Sequence, residues 1–259
     1  MNHFIENLVV LILCLLLWAC TTTQTTMTTT KTPSQPNTSG TVVRRAADNL
    51  TYTVDSLVLK PNPYSSLVEL DTRFGTMKIE LFFDAQEHRG NFIKLAKSNY
   101  YDSLLFHRVI KGFMAQGGDP DSRNAAPGVR LGNGGPSYKI PAEIGQHYYH
   151  IKGALAAART SDAMNPERQS SGSQFYIVQG SRVSPEQLDK NERTHNIVYT
   201  QRQRQLYTRL GGSPQLDMKY TGFGRVYEGL DIIDSLAQQP TDAYSRPSED
   251  LHMQVRVIR

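Results

Sequence analysis

The sequence predicts a mainly β protein: a closed or nearly closed barrel with helices over its ends and a helical segment inserted near residues 184–212. Three observations carry this. Beyond about Thr51 the text breaks into short alternating apolar and polar runs. Only two or three stretches keep a helical period, too few to sheathe a parallel sheet. One stretch, 184–212, interrupts the strand rhythm with helix start and stop signals.

In chain order, "LVELDT" and "MKIELF" flank Arg73-Phe74-Gly75-Thr76, a hairpin signal with glycine at the turn. "DAQEHRGNFIKLAKSNYY" opens on Asp84 with Glu87 three residues on, a capping-type start. Phe92, Leu95 and Ala96 then share one helical face. "SPEQLDKNERTHNIVYTQRQRQLYTRLGG" has Ser184 as cap, Pro185 at the first helical position, Gln187 as box partner and Gly211–Gly212 as stop. It reads as one or two helices, with Arg202, Arg204 and Arg209 on a solvated face. "EGLDIIDSLAQQP" places Leu230, Ile233 and Leu236–Ala237 on another apolar face, stopped by Pro240. In "HMQVRVIR" the alternation of Met253, Val255 and Val257 reads as a closing strand.

The amino terminus reads as a sorting device. Leu8–Leu17 is an apolar run too short for a membrane span and suited to a signal-peptide core. "LWAC", Leu17 to Cys20, resembles a bacterial lipobox, in which a small residue precedes the cysteine that takes the lipid. An uncleaved apolar anchor would carry the same run. The stretch after Cys20 favours lipidation: Thr21 to Gly40 is nearly all Thr, Ser, Gln, Pro and Asn, with little to bury, and reads as a disordered leash. The expected organisation is a signal peptide over 1–19, a lipidated Cys20 with linker over 20–50, and one domain over 51–259.

Composition bounds the chemistry. At 39% hydrophobic and 20% charged, the chain can build an ordinary core and surface. A net charge of +4 is too small for a nucleic-acid footprint. Cys14 and Cys20 are the only cysteines, so the domain has no disulfide and no thiolate metal site. "HYYH", 147–150, has two histidines three apart and no third ligand nearby, so no metal is expected. "GNGG", 132–135, lacks a following Lys-Ser/Thr and reads as a turn. His107 reads as a hydrogen-bonded structural histidine.

The most informative stretch is "FHRVIKGFMAQGGD", 106–119: an arginine, two phenylalanines, a methionine and a glutamine, without an accompanying acid–base pair or nucleophile. With "GALAAARTSD" (153–162), "SSGSQFYIVQG" (170–180) and "LDMKYTGFGRVYEG" (216–229), it resembles the cyclophilins, the barrel class of peptidyl-prolyl cis–trans isomerase (rotamase). The resemblance covers roughly 66–259 apart from 184–212. It implies a closed eight-stranded antiparallel barrel capped by two helices, with no cofactor. It also implies that Arg108 is the catalytic cation and that Phe113, Met114, Tyr176 and Leu216 line a proline slot. Gln116, Gln174 and the Ala158–Arg159 loop would hold the substrate backbone, with Tyr220 at the pocket edge. Strand alternation places Gln174 and Tyr176 on one face and Phe175 and Ile177 in the core. Tyr176 stands where relatives commonly have Phe, Gln215 where many have Trp or Phe, and Arg159 where eukaryotic members have Asn. The Gln215 departure argues against tight cyclosporin binding.

The expected partners are Pro-containing unfolded or exported polypeptides, with the membrane reached through the N-terminal lipid. The expected location is the cell envelope, at the periplasmic face of the outer membrane. Nothing demands more than a monomer. The alternative is a non-catalytic cyclophilin-like module that grips proline segments or docks a partner through the inserted helices.

Overall fold

The computed structural model describes residues 60–145 and 149–259. The leader, Cys20, the Thr-rich stretch, the start of the 51–259 domain and His147 lie outside the described residues.

Strand β1 (Ser66–Thr72) turns through Arg73 and Phe74 into β2 (Gly75–Leu81). Thr72 Oγ1 accepts from Phe74 N–H and donates to Gly75 O, closing the two-residue loop. Gly75 takes φ +128, where a side chain would be strained. Helix α1 (Gln86–Lys97) buries Phe92, Leu95 and Ala96 as its period demands. Its start departs from expectation. Ala85 is the N-cap, and neither Asp84 nor Glu87 closes a box. Glu143, distant in sequence, instead accepts from the N–H groups of Glu87 and His88 at 3.0 and 2.9 Å. A carboxylate there satisfies orphan donors and meets the positive end of the helix dipole at once.

The chain continues through β3 (Arg108–Ile110), β4 (Met114–Gly117), β5 (Lys139–Ile140), β6 (Ala154–Ala157), β7 (Ser170–Ser171) and β8 (Phe175–Val178). Then come α2 (Pro185–His195), α3 (Gln201–Leu210), β9 (Gly222–Glu228), α4 (Leu230–Ala237) and β10 (Gln254–Val257). Eight strands form one curled sheet in the order β10-β1-β2-β9-β6-β8-β4-β3, while β5 and β7 pair separately. Among the described residues every ladder is antiparallel.

The sheet does not close, contrary to the expected closed barrel. Its edges are β10 and β3, and the chain just ahead of each is joined by an isolated bridge, Leu105 to His252, and by backbone hydrogen bonds between 103–106 and 251–253, without a ladder of strands. The physical reason lies at β3. This strand has three residues, and the N–H of Val109 is taken by Ser245 O at 2.8 Å, from a loop lying over that edge. In the register of the Leu105–His252 bridge, β3 lies opposite 247–249 rather than β10, so the two edge strands form no ladder. The loop covers the edge as a partner strand would.

The concave side holds the main core, including Leu70, Met77, Ile79, Phe92, Phe175 and Ile177. The insertion resolves into two helices with a capping box each. Ser184 with Gln187 starts α2, and Thr200 with Gln203 starts α3. The second box is not evident in the sequence because the intervening residues show no break. Asn196, at φ +51, ends α2 and makes that break. Apolar sides of the insertion gather in a cluster of their own, with Leu188, Ile197, Tyr199 and Tyr207 buried.

Candidate active site

The strands β3, β4, β8 and β6 carry two different clusters on their two faces, and register decides which residue joins which. Val109, Ala115, Ile177 and Leu155 lie in line across the four strands and face the main core. One residue along, Arg108, Gln116, Tyr176 and Ala156 also lie in line, on the opposite face. Period-two alternation makes these sets exclusive. Phe175 and Ile177 enter the core and Tyr176 the outer face, as the alternation predicts.

The outer face is a small apolar patch. Met114, Ala156, Ala158 and Tyr176 are buried in it, with Phe113, Leu216 and Tyr220 half-buried against them. Met114 and Tyr176, only 2% and 5% exposed, form a floor; Phe113, Leu216 and Tyr220 form the rim. A chain of polar side chains borders the patch. Arg108, exposed, donates through Nη1 to Gln116 Oε1 at 3.3 Å. Gln116 Nε2 donates to Gln174 Oε1 at 3.0 Å. Gln174 Nε2 in turn donates to the carbonyls of Gly132 and Gly134, at 3.0 and 2.7 Å. The "GNGG" turn thus orients this row. It is itself held by Asp119, fully buried, which accepts from the N–H groups of Gly132, Gly134 and Asp121. Gly132, Gly134 and Gly135 also line a cavity of about 260 Å³ with Ala158, Arg159 and Gln174.

One glycine lets these motifs meet, and its neighbour makes room for Met253. A Cβ on Gly118, at φ +87, would stand 2.3 Å from Ser173 O, and one on Gly117 2.3 Å from Met253 Cε. The "GGD" end of the first motif therefore presses its backbone against the "GSQF" motif.

Arg159 does not reach out to solvent. Its guanidinium donates to Lys219 O and Thr160 O, pairs with Asp162 at 2.6 Å, and lies 4.4 Å from the centre of the Tyr220 ring. Its side chain, 3% exposed, is engaged in holding the Tyr220 rim. The backbone of Ala158 is also taken: its N–H donates to Gln174 O and its carbonyl accepts from Ser171 N–H.

His107 departs from expectation. It is buried, and its ring nitrogens make no well-formed hydrogen bond, only a weak contact with the Leu105 backbone. Burial pushes its imidazole down to about 4, while the carboxylate of Asp119 pulls the other way. The ring is neutral at ordinary pH.

Four residues of this neighbourhood carry no signal of their role in the sequence: His150, Asp217, Tyr199 and Tyr207. Tyr176 Oη lies 3.1 Å from His150 Nε2, and His150 Nδ1 lies 2.9 Å from Asp217 Oδ1. Tyr199 and Tyr207 both donate to Asp217 Oδ2, at 2.6 Å. Burial holds the Tyr176 phenol well above its usual range, so it keeps its proton. An Asp immediately after Leu216 and a His ending "HYYH" are the only available hints. Neither has a spacing that announces the contact, because the chain segments meet only in the fold.

A family model described as cyclophilin type peptidyl-prolyl cis-trans isomerase/CLD matches residues 67–257, nearly all of the described domain. The chain belongs to this family. Among similar proteins, a peptidyl-prolyl cis-trans isomerase-like 3 of Gallus gallus is 33% identical over 192 residues, covering 72% of this chain and 91% of its own. A putative peptidyl-prolyl cis-trans isomerase of Staphylococcus saprophyticus is 35% identical over 190 residues, covering 70% and 86%. A putative bifunctional phosphatase/peptidyl-prolyl cis-trans isomerase of Streptococcus pyogenes is 33% identical, but this chain spans 37% of its length. A crystal structure of a cyclophilin type isomerase from Cryptosporidium parvum superposes with a TM-score of 0.54 at 24% identity, covering 76% of this chain and 99% of that one. The likeness to that structure is one of fold. As a cyclophilin, the chain has the isomerase as its family activity, and the 184–212 insertion is where its helices exceed the two expected to cap the barrel.

Proposed function

We propose that this cyclophilin catalyses rotation about Xaa–Pro bonds in exported polypeptides, with Arg108 as the catalytic cation and the Phe113–Met114–Tyr176–Leu216 patch as the proline slot. The supporting observation is register: Arg108 shares a cross-strand row with Gln116 and Tyr176, so a cation stands at the border of an apolar surface. No proton shuttle or nucleophile is required, because no covalent bond is broken. The barrier, about 18–20 kcal/mol, is lost amide resonance. In the twisted transition state the prolyl nitrogen regains a lone pair and accepts a hydrogen bond better than either planar isomer. A guanidinium held there lowers the barrier by differential binding. About 6–7 kcal/mol would bring a step of tens of seconds below a millisecond.

Each other part has a matching task. Met114 adapts the floor to either ring pucker. Gln116 holds Arg108 by its carbonyl, and with Gln174 it meets the substrate backbone. In the 158–159 loop the backbone contact falls to Arg159, since the Ala158 peptide groups are engaged. Tyr220 guards the edge, held by the Arg159 guanidinium. The setting we infer is a monomer tethered by lipid on Cys20 to the periplasmic face of the outer membrane, where newly exported chains pass unfolded. The isomerase is tested by a protease-coupled Xaa–Pro peptide assay on wild type and Arg108→Ala. Turnover lost in the variant with peptide affinity retained supports it; an inactive wild type that still binds peptide favours the docking module. The tether is tested by labelling with a clickable palmitate, where a label that survives Cys20→Ala rejects it.

A further inference from the structure

The slot wall is connected to the inserted helices by a buried polar chain. Tyr176 brings a hydroxyl into an apolar cluster, and a buried hydroxyl without a partner is costly. His150, fully buried, takes it through Nε2 at 3.1 Å. On the other side, Asp217 Oδ1 accepts from both the backbone N–H and ring Nδ1 of His150, at 2.8 and 2.9 Å. An ionised carboxylate only accepts, so Nδ1 carries a proton toward Asp217, and the other ring nitrogen, Nε2, shares the remaining hydrogen bond with the Tyr176 hydroxyl. Asp217, 1% exposed, needs its second oxygen filled. Tyr199 and Tyr207 fill it with one bond each at 2.6 Å. Asn191 on α2 then donates to the Tyr199 oxygen and to Pro214 O. The carboxylate receives four bonds, two from phenols of the insertion, so the insertion holds the anion that orients the histidine that orients Tyr176.

The rings agree with this direction. His150 lies nearly parallel to Tyr176, with centroids 6.0 Å apart, and Tyr176 meets the rim residue Tyr220 edge-on at 5.9 Å. A shift of Tyr176 would therefore move both the wall and the rim.

We propose that His150 and Asp217 are positioning residues for prolyl isomerisation, and that the 184–212 insertion acts on the slot by holding Asp217 through Tyr199 and Tyr207. This rests on the reading of Tyr176 as slot wall. The test is a double-mutant cycle in the full chain: Tyr199→Phe with Tyr207→Phe, made in wild type and in Tyr176→Phe. Phenylalanine keeps the rings and removes the bonds to Asp217 together with the Asn191 contact to the Tyr199 oxygen, and near-ultraviolet circular dichroism confirms that each variant is folded. In wild type, kcat/KM on an Ala-Pro test peptide should fall roughly tenfold, although neither tyrosine reaches the slot, because two net bonds are lost. In the Tyr176→Phe background the same pair should change it less than about twofold, since no hydroxyl remains to orient. Equal losses in both backgrounds, or no loss in wild type, overturn the proposal. Reading the same cycle as peptide affinity separates a failure of this coupling from a failure of the isomerase reading: an inactive wild type still shows the background-dependent loss if the coupling holds.

Discussion

Arg108 stands directly across the β3–β4 ladder from Gln116, and its guanidinium is held by the carbonyl oxygen of that side chain at 3.3 Å. The contact is one hydrogen bond between a charged donor and a neutral acceptor, which leaves the remaining guanidinium N–H groups for another acceptor. Arg108→Ala should lower kcat/KM about a hundredfold, the scale seen when a donor to a developing transition-state acceptor is removed. Arg108→Lys should recover little, since a point charge lacks the planar fork. Gln116→Ala should lose about tenfold, mainly through a mobile Arg108. Peptide isomerisation kinetics on the three variants check the order Ala worst, Lys next, Gln116→Ala mildest.

The remote cap of α1 predicts a stability effect without a slot residue being touched. Burial alone would raise the Glu143 carboxyl, but the N–H groups of His88 and Glu87 and the His88 ring hold it below its ordinary range. Glu143→Ala should therefore cost about 1–2 kcal/mol, as loss of a charged N-cap does, with kcat retained. A group depressed in the folded state contributes above its unfolded pKa and loses that contribution as pH falls through the folded value. The gap between wild type and variant in urea unfolding should accordingly narrow below about pH 4.

His107 predicts acid lability with the opposite remedy. Its folded pKa of about 4 lies below the ordinary 6.5, so the unfolded chain takes up a proton first. Stability is full above the ordinary value and declines as pH falls from there toward 4. The decline arises because the unfolded chain takes up the proton before the buried ring does. His107→Leu, close in volume and leaving no poorly bonded nitrogen, should flatten that stretch of the profile. Denaturant midpoints at pH 7 and 4.5 decide it: an unchanged slope rules out His107 as the source.

The contact between the "GGD" and "GSQF" motifs predicts a backbone effect. Gly118→Ala places a Cβ 2.3 Å from Ser173 O at a positive φ. It should destabilise by about 2–4 kcal/mol and displace Gln174 from the Gly132 and Gly134 carbonyls. Gly128→Ala, at φ +78 but with open space around it, should cost only about 1 kcal/mol. Thermal unfolding of the pair separates steric from conformational cost.

How much is legible depends on how local each determinant is. The β1–β2 hairpin, the buried face of α1, the start of α2 and the strand at the end of the domain each rest on residues a few positions apart, and period and caps reveal them. The remote cap on α1 and the covered edge of β3 each join residues distant in the chain, which no local pattern records.

By itself the sequence determined the face on which Tyr176 and Phe175 lie, because a strand has only two and alternation assigns them. It also determined the family, because "FHRVIKGFMAQGGD" is a long, specific string. Only the tertiary structure decided that the sheet stays open and that Arg159 turns inward. The same holds for the bond by which Asp217 ties the inserted helices to the slot. Long-range hydrogen bonds depend on where the folded backbone brings donors and acceptors together. That placement is a property of the whole packed chain.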